Sequence, residues 1–124
     1  LRQCRGILCA DLEPGTMLTD KGRKFKVYKL LKGDNRYYQN CHGYGLGVEI
    51  WVENPIPVYE DEYEAVFSEN EADLILWVDD KGAPKHTSKV QFGLNWGKNG
   101  TLPIAPDPKI FHSKKTPLFY RKLP

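Results

Sequence analysis

No stretch of this sequence is apolar for long enough to cross a membrane as a helix. The longest run, residues 74–78, is far below the roughly twenty residues that a span requires. The opening LRQCRGILCADLEPG carries no apolar h-region and no small-residue cleavage site, so no signal peptide is read there. Cysteine is scarce and odd in number, and three thiols cannot complete a disulfide framework. Cys4 and Cys9 can pair with each other, or either with Cys41; the expectation is reduced thiols in a cytoplasmic protein. C-x-x-C is absent. A zinc site would need Cys4, Cys9, Cys41 and a histidine as a Cys3His set, with four residues between the first two, so neither metal nor cofactor is expected.

Lysine and arginine are missing from residues 53–80, which hold ten of the 16 acidic residues. All 18 basic residues therefore lie elsewhere, most densely in residues 21–36. Such segregation either produces a dipolar surface that steers a charged partner or cancels itself when the acidic segment folds over the basic one. Internal repeats and low-complexity tracts are also absent, and 124 residues with 40% hydrophobic and 27% charged residues describe one ordinary folded domain.

Turn signals punctuate what is there. Pro14-Gly15 reads as a turn, TDKG as a second, and residues 24–31 as a strand with Phe25, Val27 and Leu31 on one side and Lys24, Lys26 and Tyr28 on the other. KGDN turns the chain into residues 36–41. Leu46, Val48, Ile50 and Val52 alternate with Gly47, Glu49 and Trp51, the pattern of a half-buried strand. Pro55 and Pro57 exclude a central ladder and predict an edge or loop. Ser68 and Glu71 form a capping-box pair, predicting the single helix over residues 69–77, with Ala72, Ile75 and Leu76 buried. Residues 90–96 alternate again as a strand. From about residue 103 the Pro-rich tail is expected to be extended, closing on a hydrophobic piece at residues 118–120. The sum is an α+β fold, mostly antiparallel β: a compact β-rich barrel or sheet of five to six strands with one short helix, since connections after Gly33 are too short for parallel crossovers.

Function is ranked from the side chains. The leading expectation is a small non-catalytic binding domain for single-stranded nucleic acid. Lys24, Lys26 and Tyr28 on one strand face, with Arg36, Tyr37 and Tyr38 beyond a short turn, supply cations for phosphates and rings for stacking. The C-terminal HSKKTPLFYRKLP repeats the mixture, although no RNP, KH or zinc-knuckle signature accompanies it. The alternative is a protein-docking inhibitor or effector of the phage or host–pathogen type, presenting the acidic segment to a charged protein partner.

A third class is a small enzyme with its site near Cys41, His42 and Glu49. Gly43, Gly45 and Gly47 resemble a phosphate loop only superficially. With a strand expected after them, they are read as turn or bulge residues. Sequence neighbours on a strand face opposite ways, so His42 is not expected to serve Cys41 as a base; that task would fall to His86 or His112.

Overall fold

A computed structural model describes residues 1–124. The fold is α+β and dominated by antiparallel sheet. One sheet has four strands in the order β1 (Arg2–Arg5), β2 (Leu8–Leu18), β3 (Lys24–Gly33) and β4 (Trp51–Val52). The other has six: β5 (Tyr63–Val66), β6 (Leu74–Val78), β7 (Pro84–Gln91), β8 (Leu94–Gly97), β9 (Ala105–Pro106) and β10 (Thr116–Lys122), in the spatial order β5-β10-β6-β7-β8-β9. Of two short helices, α1 (Cys41–Leu46) lies between β3 and β4, and α2 (Ile56–Glu62) lies in the connection from β4 to β5, where the chain passes between the sheets. No helix is long and apolar enough to cross a membrane.

The strand at residues 24–31 forms as β3, with Phe25 and Val27 buried against Val52 and Val58. Leu31 is instead exposed. Leu31 is the residue skipped where the register shifts opposite Asp11 and Leu12, and on the other face of β3 Tyr28 and Leu30 pack beside Ala10, Leu12 and Tyr37. Pro14 and Gly15 are interior to β2 rather than a turn. Pairing with β1 ends at Asp11, so the outer edge of β2 is open at Pro14 and no ladder bond is lost.

Several assignments change. Residues 74–78, expected as the end of a helix, are β6, buried on both faces between β10 and β7. An unbroken apolar run matches a strand covered on both sides, whereas a single helix face needs only every third or fourth residue apolar. Ser68 makes no side-chain cap, and the following residues form only a 3-10 turn, Glu69–Glu71. Residues 55–62, expected as an edge or loop, hold α2, with proline in the first helical turn, where its missing N–H costs nothing. The strand expected over residues 46–52 is cut to Trp51–Val52, because α1 occupies the residues before it. Residues 90–96 likewise split, as Phe92 and Gly93 turn β7 back into β8.

Folding resolves the charge question in favour of cancellation. Seven of the ten acids in residues 53–80 pair with lysines or arginines from outside the segment, among them Glu60 and Asp61 with Arg23, Glu62 with Lys122, and Glu64 with Arg121.

Candidate functional site

Cys41 is the first residue of α1. Asn40 caps the helix: its Oδ1 accepts from the Gly43 N–H at 2.9 Å and the Val52 N–H at 3.0 Å, while its Nδ2 donates to the Val52 carbonyl at 2.8 Å. This tie to β4 fixes where the helix begins. Gly47 ends it in the left-handed region at φ 76°. Gly43 and Gly45 serve closeness. A Cβ on Gly43 would run into the Ile50 carbonyl, so the bend after α1 closes against the helix there, and one on Gly45 would run into the Thr87 methyl, so α1 lies directly on β7 only because that side chain is missing. The glycines of GxGxG are therefore helix-packing and capping residues, not the strand turn that their density suggests.

His86 and Ser88 sit two apart on β7 and so share a face. Both reach one carboxylate oxygen: His86 Nε2 lies 2.6 Å from Asp107 Oδ2, and the Ser88 hydroxyl donates to the same atom at 2.6 Å. Trp77 Nε1 donates to Ser88 Oγ at 2.9 Å, which aims the hydroxyl at Asp107. Asp107 follows β9 and is fully buried against Gly97; a Cβ on Gly97 would come within 2.5 Å of Oδ2. The second oxygen, Oδ1, lies 2.8 Å from His112 Nε2. His112 is stacked between Trp77 and His86, with ring centroids 4.9 Å and 4.3 Å away.

Burial alone would raise the Asp107 carboxyl, but hydrogen bonds from His86, Ser88 and His112 outweigh it and hold the group at about 2. Burial likewise opposes charge on His86. The hydrogen bond to Asp107, with the Cys41 sulfur beside the ring, overcomes it and raises His86 to about 9. His112, disfavoured first by burial and then by the charge of His86, is lowered despite its bond to Asp107. Two stacked rings cannot both be charged beside one carboxylate, and His86 takes the proton.

Cys41 Sγ, His86 and Asp107 thus stand in the order that a nucleophile, a base and a group orienting the base require. Cys41 is half-buried and its sulfur is free, since Cys4 and Cys9 are joined in a disulfide across the β1–β2 hairpin. That bond corrects the expectation of three reduced thiols and removes two members of the Cys3His zinc set. His86, Asp107 and His112 form another metal-type donor group, with ligand atoms within 4.8 Å of one another. In this arrangement, however, both Nε2 atoms are engaged by the carboxylate they would share with an ion.

A cleft of about 930 Å³ opens over the triad, walled by Trp51, Tyr28 and Phe111 and by Arg5 and Lys115. His42 also borders it, but its Nδ1 is bound by Thr87 Oγ1 at 2.7 Å, and Thr87 accepts from Tyr59 at 3.0 Å. Burial, then the charge of His86, lowers His42 to about 3. His42 is therefore no base for Cys41, as expected, although the reason is helical geometry rather than strand alternation. Glu49 is exposed in the bend after α1 and stays outside the cleft.

The six residues expected to bind nucleic acid are not presented together. Lys24 and Lys26 are exposed on β3, with Lys26 Nζ 3.6 Å from Glu53 and 5.2 Å above the Tyr28 ring. Arg36 is forked onto Asp34 at 2.7 and 2.8 Å. Tyr38 is exposed. Tyr28 is half-buried in the cleft wall, and Tyr37, expected on the surface, is buried, donating its hydroxyl to the Leu8 carbonyl and stacked on Trp51. Asp107, with its partner Ser88, was invisible in the sequence as a site residue: it lies in what reads as a proline-rich tail. The available signal was Asn40 before and Gly47 after a six-residue stretch, a start and stop pair for a helix with Cys41 at its head. No protein family, curated protein or solved structure matches this chain.

Proposed function

We propose that the protein is a thiol-dependent acyl-transfer enzyme, hydrolytic when water is the acceptor. The observation that carries this reading is the placement of His86, hydrogen-bonded to Asp107 and beside Cys41, in the lining of an open cleft. The Cys41 sulfur attacks a carbonyl carbon of an amide, ester or thioester while His86 holds the thiol proton. The tetrahedral intermediate collapses as His86 gives that proton to the departing amine, alcohol or thiol, leaving an acyl thioester on Cys41. Water then attacks the thioester, His86 takes its proton, and release of the acid restores the thiol. The Cys41 N–H, first in α1 and without an intrahelical partner, is available to donate to the developing oxyanion.

The test is a stoichiometric acylation. With p-nitrophenyl acetate the wild-type protein should release a burst of one nitrophenolate per chain and carry the acetyl group on Cys41 by peptide mass spectrometry. Cys41→Ser should show no burst, and His86→Ala should acylate about 10²- to 10⁴-fold more slowly. A wild-type protein that acylates no faster than a free thiol at the same pH refutes the reading.

A second reading, single-stranded nucleic acid on the outer face of β3, is supported by the exposure of Lys24, Lys26 and Tyr38. Its test is binding of labelled single-stranded DNA or RNA at low salt. Loss of both lysines to glutamine should flatten the slope of log affinity against log salt by about 1.4. Absence of binding at low salt ends it.

A further inference from the structure

We propose that Arg5 is the specificity residue of the cleft and that the acyl substrate carries a carboxylate close to its reacting carbonyl. The inference rests on the acyl-transfer reading and adds the substrate class.

Of the cations around the cleft, Lys85 stands 3.8 Å from Asp79, and the one carboxylate in its wall, Glu53, stands 3.6 Å from Lys26. Arg5 and Lys115 also line the cleft, and neither forms an ion pair. Arg5 is the better placed of the two for recognition. It is the last residue of β1, paired with Leu8 across the hairpin that the Cys4–Cys9 disulfide braces, so its backbone is fixed.

Its guanidinium lies over Gly100. A Cβ there would come 2.7 Å from Cζ and 2.9 and 3.0 Å from the two terminal nitrogens, and the backbone of Gly100 is itself left-handed at φ 62°. The Gly100 carbonyl accepts from the buried Lys98 ammonium at 2.5 Å. The same ammonium also binds the carbonyls of Arg36 and Gln39, the latter two residues before Cys41. A continuous set of contacts, Arg5 on Gly100, Gly100 on Lys98 and Lys98 on Gln39, therefore ties the guanidinium to the segment that presents the nucleophile. Burial lowers the Lys98 ammonium, and the charge of Arg5 acts in the same direction.

A guanidinium with its donors unengaged presents a planar fork that fits the two oxygens of a carboxylate, and the pair strengthens as the cleft excludes water. The uncharged end of the acyl group would meet Trp51 and Phe111.

Two alkylating probes of nearly equal size isolate this effect. Iodoacetamide is neutral and iodoacetate carries a carboxylate; in both, the Cys41 sulfur displaces iodide. Labelling rates at Cys41 are read by peptide mass spectrometry at low ionic strength in wild type, Arg5→Gln and Lys115→Gln. Relative to a free thiol, wild type should favour iodoacetate over iodoacetamide by at least tenfold, and Arg5→Gln should lose most of that preference. An unchanged preference in Arg5→Gln overturns the proposal. So does an equal loss in Lys115→Gln, which makes the preference a matter of overall cleft charge. Failure of iodoacetamide to label wild-type Cys41 faster than a free thiol tells against the acyl-transfer reading instead, so the two failures are distinct.

Discussion

His86 and His112 stack with ring centroids 4.3 Å apart and divide one carboxylate between them, His86 Nε2 on Asp107 Oδ2 and His112 Nε2 on Oδ1. The arrangement makes the rings unequal. The Cys41 sulfur beside His86 favours charge on that ring, whereas His112 has a buried Nδ1 with no partner. His112 therefore works as a neutral brace, filling the space behind the base and holding the far oxygen of Asp107.

Asp107→Asn tests this division. An amide keeps the shape but loses the charge, and it can no longer accept from both imidazoles and Ser88 on the same terms. The NMR titration of His86 should drop from about 9 toward its ordinary value near 6.5. Acylation of Cys41 should slow by about 10²- to 10⁴-fold. A His86 titration unmoved by the substitution would show that Asp107 does not set the charge of the base.

Stability should depend on pH from both sides. His86 has a folded pKa of about 9 against an ordinary 6.5, so its contribution is complete below 6.5 and is lost as pH rises from there through about 9. Each tenfold change in proton affinity is worth about 1.4 kcal/mol, which makes this contribution on the order of 3 kcal/mol. His42 works in the opposite sense. Buried and neutral, with a folded pKa of about 3, it binds its proton more readily when unfolded, so stability falls as pH drops from 6.5 toward 3. Asp107, held at about 2, adds to the acid loss below its ordinary 3.8. Chemical denaturation across pH should show a maximum near 6.5, and His86→Gln should remove the alkaline decline while leaving the acid one. An alkaline decline that survives in His86→Gln would assign it to another group.

Ser68→Ala should leave the stability within about 0.5 kcal/mol of wild type, because the Ser68 side chain makes no cap bond and the residues after it form a single 3-10 turn. A loss near 1 kcal/mol, the typical worth of a true N-cap, would restore the helix. This position shows why part of the fold was legible and part was not. Alternation at residues 24–27 tracks one buried face and identified β3. The capping pair Ser68 and Glu71 is a local preference worth little against the burial of Leu74, Ile75, Leu76 and Trp77 between two neighbouring strands. The candidate site was legible only in outline. Cys41 stands out in the sequence, and His86 and His112 follow as the remaining bases once His42 is excluded. Asp107 joins them through pairings between β8 and β9 that no local pattern announces.

Gly45→Ala bears on how the nucleophile is positioned. Two glycines inside a six-residue helix each cost about 1 kcal/mol relative to alanine, so α1 is held by packing rather than by propensity. Gly45 rests on Thr87, which cannot retreat: it is fully buried, and its hydroxyl is fixed by both His42 and Tyr59. An added methyl must therefore displace α1 from β7. Overpacking of this kind costs about 1–3 kcal/mol, of which the better helix propensity of alanine returns at most about 1. Because Cys41 opens the same helix, the shift should also move its sulfur relative to His86 and slow alkylation by iodoacetamide. Gly47→Ala supplies the contrast. Its φ of 76° strains any L side chain, yet a Cβ there meets nothing within 4 Å, so it should cost about 1 kcal/mol without moving the start of the helix. The expected outcome is that both variants melt earlier but only Gly45→Ala loses Cys41 reactivity. If Gly45→Ala keeps the wild-type labelling rate, close contact between α1 and β7 is not what places the nucleophile.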